Sequence, residues 1–66
     1  MTPERIYDIF KYKCYGLKDE VRSFKSNDDT SIILFMKDMG RPLLFRVTDS
    51  TKGFWKLGPY TGRGDN

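Results

Sequence analysis

The residues best suited to chemistry in this 66-residue chain lie near its C-terminus, where aromatic and basic side chains are interleaved. Between Lys52 and Arg63 the sequence reads KGFWKLGPYTGR, which contains three cations and no acid. Single-stranded nucleic acid is held by cations along its backbone and by aromatic faces on which bases stack. The segment therefore predicts a nucleic-acid site, whose members would be Lys52, Trp55, Lys56, Tyr60 and Arg63. In the competing interpretation Phe54 or Trp55 packs into the core, because neighbouring strand residues point to opposite faces.

The remaining composition argues against an enzyme. Histidine is absent, which removes the serine and cysteine nucleophile arrangements that need an imidazole base. A single cysteine, Cys14, cannot build a zinc site without histidine, and we expect it to be a small core residue. The adjacent acids Asp28 and Asp29 fall in a predicted turn, where solvated carboxylates do not form an acid–base pair. We therefore expect no catalysis, no cofactor and no metal.

A second candidate site is the stretch SIILFMKD, Ser31 to Asp38, whose middle is apolar on every residue. A half-buried strand should alternate apolar and polar side chains, because successive residues point to opposite faces. The pattern predicts a strand that is apolar on both faces. Either both faces are covered within the chain, or one of them binds something outside it.

An N-terminal helix and a series of strands would position these residues. Thr2-Pro3-Glu4 is typical of a helix start, and Gly16 favours a left-handed stop after a helix that ends near Cys14 or Tyr15. Turn-forming residues then separate four predicted strands, at 21–26, 31–37, 43–48 and 54–57. The prediction is an α+β fold in which one N-terminal helix packs on a three- to four-stranded antiparallel β meander. A single small domain would span 1–60, followed by a flexible C-terminal tail at 61–66.

One helix can cover only one face of such a sheet. The strand alternation assigns one set of apolar residues to the helix side: Ile32, Leu34, Met36, Leu43, Phe45 and Val47. Ile33, Phe35 and Leu44 are left on the opposite side, with Arg46 beside them. Burying three such apolar side chains is worth roughly 5 to 9 kcal/mol, enough to support an association. The alternative is that Trp55, the tail or a strongly curled sheet covers this face from within.

These observations favour a non-enzymatic protein-binding module. The partner-binding residues would be Ile33, Phe35, Leu44 and Arg46, acting either on another protein or by self-association as a homodimer. Chains of this length are often accessory, regulatory or inhibitory proteins, including those of phages. Binding of single-stranded nucleic acid through 52–63 is the alternative, and a subunit that completes another protein's active site is a third possibility.

The N-terminus, MTPERIYD, has an acid and a proline where a signal peptide would have an apolar core, and no apolar run approaches the length of a membrane span. A lone cysteine agrees with a reducing compartment. We therefore expect a cytoplasmic protein that binds no membrane.

Overall fold

The fold is one N-terminal helix packed on a four-stranded antiparallel sheet, as a computed structural model describes it for residues 1–49 and 51–62. In chain order the elements are helix α1 (Pro3–Lys13), a 3₁₀ helix (Tyr15–Glu20), and strands β1 (Val21–Asp28), β2 (Ser31–Met36), β3 (Leu43–Asp49) and β4 (Phe54–Pro59). Each strand pairs with the next, giving the sheet order β1-β2-β3-β4. The predicted α+β meander is thus confirmed, and β4 pairs with β3 as the fourth strand of the sheet. Of the predicted tail, residues 63–66 lie outside the described part of the chain. No helix in the described part is both long and apolar enough to cross a membrane.

Helix α1 starts where the sequence predicts and ends earlier. The Thr2 hydroxyl accepts a hydrogen bond from the backbone N–H of Arg5 at 3.1 Å, which satisfies one of the free amides of the first turn. At the other end the α-helix stops at Lys13, and the backbone N–H of Leu17 bonds to the carbonyl of Cys14 at 2.8 Å. The chain tightens into a 3₁₀ helix there, and Gly16 lies inside it without a positive φ. The predicted left-handed stop at Gly16 is therefore wrong.

The core forms between α1 and the near face of the sheet, which is the face that α1 covers. Ile6 and Phe10 lie four residues apart on the helix and are fully buried. The ring of Phe10 meets that of Phe45 on β3 edge to face, with centroids 5.4 Å apart. The sheet residues predicted for this side all belong to the same cluster or pack against it: Ile32, Leu34, Met36, Leu43, Phe45 and Val47.

Strand β4 runs further than the sequence predicts, through Gly58 to Pro59. The backbone N–H of Tyr60 donates to the carbonyl of Pro42 at 2.8 Å, so even-numbered residues here direct their backbone groups toward β3. The missing N–H of Pro59 consequently falls on the outer side of the strand, where the ladder does not need it. Because β4 is an edge strand, it can include Pro59, which the sequence predicts to end the strand.

Candidate functional site

On the far face of the sheet, opposite the near face, the apolar residues are largely buried within the chain. Ile33 is 3% exposed and Leu44 is 8% exposed, although neither belongs to the cluster that contains the helix residues. These two residues stand opposite each other on β2 and β3, and Lys25 stands opposite Ile33 on β1. The Nζ atom of Lys25 lies 6.0 Å from the centre of the half-buried Phe35 ring. The Lys25 side chain thus lies beside the apolar residues of this face, as lysine stems commonly do.

A polar network closes one end of the far face. Asp28 Oδ2 accepts a hydrogen bond from Arg46 Nη2 at 2.9 Å, and Arg46 Nη1 donates to Thr30 Oγ1 at 2.7 Å. The fully buried Ser31 hydroxyl donates to Asp28 Oδ1 at 2.8 Å and accepts from the amide of Asn27 at 2.8 Å. Arg46 therefore reaches from β3 across β2 to the β1–β2 turn.

The charge of Asp28 is an essential part of this network. The backbone N–H of Thr30 holds the pKa of the Asp28 carboxyl well below its ordinary value, and bonds from Arg46 and Ser31 lower the pKa further. A carboxylate that accepts several hydrogen bonds favours its charged form. Asp28 thus acts as a structural anchor.

The predicted partner-binding residues therefore lie together on the far face, but with less free apolar area than the sequence implies. Ile33 and Leu44 are already buried, and Arg46 is engaged by Asp28. The alternative that Trp55 covers this face from within is wrong, since Trp55 lies on the near side, 5.7 Å from the Phe45 ring centre. Residues 63–66 of the tail, the other cover considered, lie outside the described residues. Binding of a partner by this face stays a prediction.

The predicted nucleic-acid residues do not form one surface. Trp55 pairs with Val47 on the near side of β4, whereas Lys56 pairs with Arg46 on the far side. Lys52 lies in the β3–β4 turn, and Tyr60 follows the end of β4. Arg63 lies outside the described residues. Strand alternation thus separates the basic residue at 56 from its aromatic neighbour.

Lys56 instead borders a shallow groove on the far face, which we call the basic groove. It encloses about 400 Å³ between β3 and β4. The lining residues are Leu44, Arg46, Thr48, Lys56, Leu57, Gly58 and Pro59. Arg46 and Lys56 stand directly opposite each other in the β3–β4 ladder, and the Arg46 guanidinium is already paired with Asp28. Gly58 leaves open space on this side, with no atom within 4 Å of where a Cβ would stand.

A different surface, at which the sequence predicted no site, gathers exposed aromatic side chains. Tyr12 on α1 is 81% exposed, and Phe54 at the start of β4 is 58% exposed. Both line a groove of about 390 Å³ between the helix and the β3–β4 turn, here called the aromatic groove. Its full lining is Arg5, Asp8, Ile9, Tyr12, Lys13, Val47, Gly53 and Phe54.

Local sequence explains how the aromatic groove is built. Arg5, Ile9 and Tyr12 follow one another at spacings of four and three residues, which places them along one strip of α1. Gly53 has a φ of +73° in the β3–β4 turn, a conformation that favours glycine, and it directs Phe54 into β4. This helix spacing was the available sequence signal. No comparable sequence pattern indicates that Phe54 lines the groove, because its position there depends on tertiary structure.

The aromatic groove carries more positive than negative charge. Arg5 and Lys13 line it with a single acid, Asp8, whose Oδ1 lies 3.4 Å from the Nζ of Lys11. The Nζ of Lys13 lies 5.6 Å from the centre of the Tyr12 ring, a cation–π arrangement that presents the charge beside the aromatic face.

Cys14 packs against the core, and burial raises the pKa of its thiol, which disfavours the nucleophilic thiolate. Within residues 1–49 and 51–62, no group of three or more metal-ligating side chains comes together.

Comparison with known proteins found no family model, no curated protein and no solved structure that matches this chain. The candidate sites therefore depend on the chain's own geometry.

Proposed function

We propose that this chain is a non-enzymatic protein-binding module that docks onto a protein partner through the aromatic groove. The observation that carries the proposal is the pairing of two largely exposed aromatic side chains, Tyr12 and Phe54, across one groove whose apolar lining includes Ile9 and Val47. Aromatic residues of this kind are enriched in protein interfaces, because they combine a large apolar area with little conformational entropy.

The energy available in this groove suits a docking role. Fully burying one large apolar side chain contributes roughly 1.5 to 3 kcal/mol. Tyr12 and Phe54 keep most of that contribution unrealised, at 81% and 58% exposure. The far face is a weaker candidate, since Ile33 and Leu44 already contribute their burial to folding. The docking hypothesis is therefore kept, and its surface moves from the far face to the aromatic groove.

The test is a comparison of two tyrosines that differ in location and little else. Tyr12 and Tyr15 are 81% and 72% exposed, and each has a lysine Nζ near its ring. Only Tyr12 lines the aromatic groove. Proteins captured by the wild-type chain would be purified, and their affinities measured by calorimetry for the wild type, Tyr12→Ser, Phe54→Ser and Tyr15→Ser.

We expect Tyr12→Ser and Phe54→Ser each to weaken binding by about tenfold or more, the loss expected for an interface hot spot. Tyr15→Ser should bind as the wild type does. The proposal fails if no captured protein shows this difference, or if the three variants bind equally well.

Two further measurements distinguish docking onto a protein partner from self-association and from nucleic-acid binding. Sedimentation over a range of concentrations would reveal a dimer of the isolated chain. Anisotropy with single-stranded DNA at low salt would reveal nucleic-acid binding when its electrostatic contribution is greatest. A tight dimer lost with Tyr12→Ser, or DNA binding lost with Lys56→Glu, would replace the proposed function.

A further inference from the structure

Strand β4 ends the sheet with backbone groups that no described strand pairs. Even-numbered residues of β4 direct their N–H and C=O groups toward β3, as the bond from Tyr60 to Pro42 shows. Trp55 and Leu57 therefore direct their N–H and C=O groups outward. These four groups can pair with an additional strand, until Pro59 ends the series of donors.

The opposite edge of the sheet is less suited to receive a strand. Strand β1 has register shifts between Val21 and Ser23 and between Ser26 and Asp28. Bulges of this kind interrupt the even spacing of backbone groups and are a common protection for edge strands. The single shift in the β3–β4 ladder lies between Val47 and Asp49 on β3, so β4 itself is continuous.

The two sides of β4 differ sharply in chemistry. On the near side are Trp55, which is 38% exposed, and the half-buried Leu57. On the far side Lys56 stands over the basic groove, opposite Arg46. Lys56 makes no ion pair with any residue in the described part of the chain.

We infer that the outer edge of β4 receives an extended segment of the partner protein as a fifth strand, in which apolar and acidic residues alternate. The inference rests on the proposed protein-binding function and specifies the chemistry of the segment. Its apolar side chains contact Trp55 and Leu57 on the near side. Its acidic side chains lie near Lys56 on the far side, where they supply the negative charge that Lys56 does not find within the described part of the chain. Addition of a strand supplies affinity through main-chain hydrogen bonds, and alternate side chains supply specificity.

Position and charge both favour this occupant. Phe54 lines the aromatic groove and is followed directly by Trp55, so one bound segment can contact the groove and the edge. A second copy of this chain is disfavoured, because pairing β4 with β4 would bring two basic edges together in a protein of net charge +3.

The experiment titrates the full chain with three synthetic peptides of about eight residues, near the upper length of common strands. In the first, Val alternates with Glu; the second has the same composition with Val and Glu in separate blocks; in the third, Val alternates with Lys. Trp55 is the only tryptophan, so its fluorescence reports binding at β4 directly. Amide hydrogen exchange then measures protection at Trp55 and Leu57.

We expect the Val–Glu alternating peptide to bind at least tenfold more tightly than the other two and to slow exchange at the Trp55 and Leu57 amides. Lys56→Glu should weaken this binding by about tenfold. Lys25→Glu on β1 is the matched control and should leave it unchanged.

The inference is overturned if the block or Val–Lys peptide binds equally well, or if no peptide protects these amides at millimolar concentration. Single-stranded DNA that protects them would assign the edge to nucleic acid. One pair of results would reject the edge inference and leave the proposed function standing. In that case Tyr12→Ser abolishes binding of a captured partner, while the complex of that partner with the wild-type chain shows no exchange protection at the Trp55 and Leu57 amides.

Discussion

Shortening Ile33 to alanine measures whether the far face belongs to the chain's own core. Ile33 is 3% exposed, so Ile33→Ala removes buried methyl and methylene groups and leaves a cavity. Comparable core substitutions cost about 2–5 kcal/mol, and a site without a helix above it can relax toward the lower end, about 2–3 kcal/mol. A chain of this length has a total stability of about 3–10 kcal/mol. One substitution should therefore remove a large fraction of it.

The assay is urea unfolding of the isolated chain at several protein concentrations, with Phe54→Ala as the control. Phe54 is 58% exposed, and we expect its truncation to cost less than about 1 kcal/mol, close to the range of ordinary surface substitutions. Ile33→Ala should lower the melting temperature by about 10–20 °C, given the usual shift per kcal/mol in small domains. A cost for Ile33→Ala no greater than that for Phe54→Ala would refute this account of the far face. A cost that grows with protein concentration would mean that a second copy covers Ile33.

Three further predictions concern local features of the fold. Asp28→Asn should lower stability at neutral pH by about 1 kcal/mol, because Arg46 and Ser31 lose a charged acceptor whose partial exposure lets solvent screen it. Since folding depresses the pKa of Asp28, this contribution to stability is present above the ordinary carboxyl pKa of about 3.9 and is lost as pH falls toward the lower folded-state pKa. The free energies of unfolding of wild type and variant should therefore converge in acid. A difference that stays constant with pH would contradict this role of Asp28. Thr2→Ala should cost about 1 kcal/mol through loss of the N-cap, measured by thermal melting, whereas Thr2→Ser should restore most of it. Met39 has a φ of +64°, so Met39→Gly should raise stability by about 1 kcal/mol, and a loss of stability in urea unfolding would contradict the strain.

Much of the fold could be predicted from local sequence rules. The Thr2-Pro3-Glu4 helix start and the alternation along β2 and β3 both depend on short-range chemistry, and the structure confirms them. The end of α1 could not be read in the same way. Gly16 permits a left-handed stop but does not require one, and the 3₁₀ bonds that begin at Cys14 take its place.

The candidate site was harder to predict because it depends on tertiary contact. Alternation correctly placed Ile33 and Leu44 away from α1, but no sequence rule shows that they are only 3% and 8% exposed on a face that the helix does not cover. The same alternation places Trp55 and Lys56 on opposite faces of the sheet. The prediction that 52–63 forms one basic aromatic surface did not take this separation into account. Tyr12 and Phe54 are far apart in the sequence and line the same groove only because the β3–β4 turn lies beside the helix.

The most direct test of docking through the aromatic groove is an NMR titration of the full chain with the purified partner that the wild-type chain captures. The account predicts that the backbone amides whose signals shift most will lie along the groove, at Ile9, Tyr12, Val47, Gly53 and Phe54. Shifts concentrated instead at Ile33, Phe35 and Leu44 would place the partner on the far face and contradict the central claim.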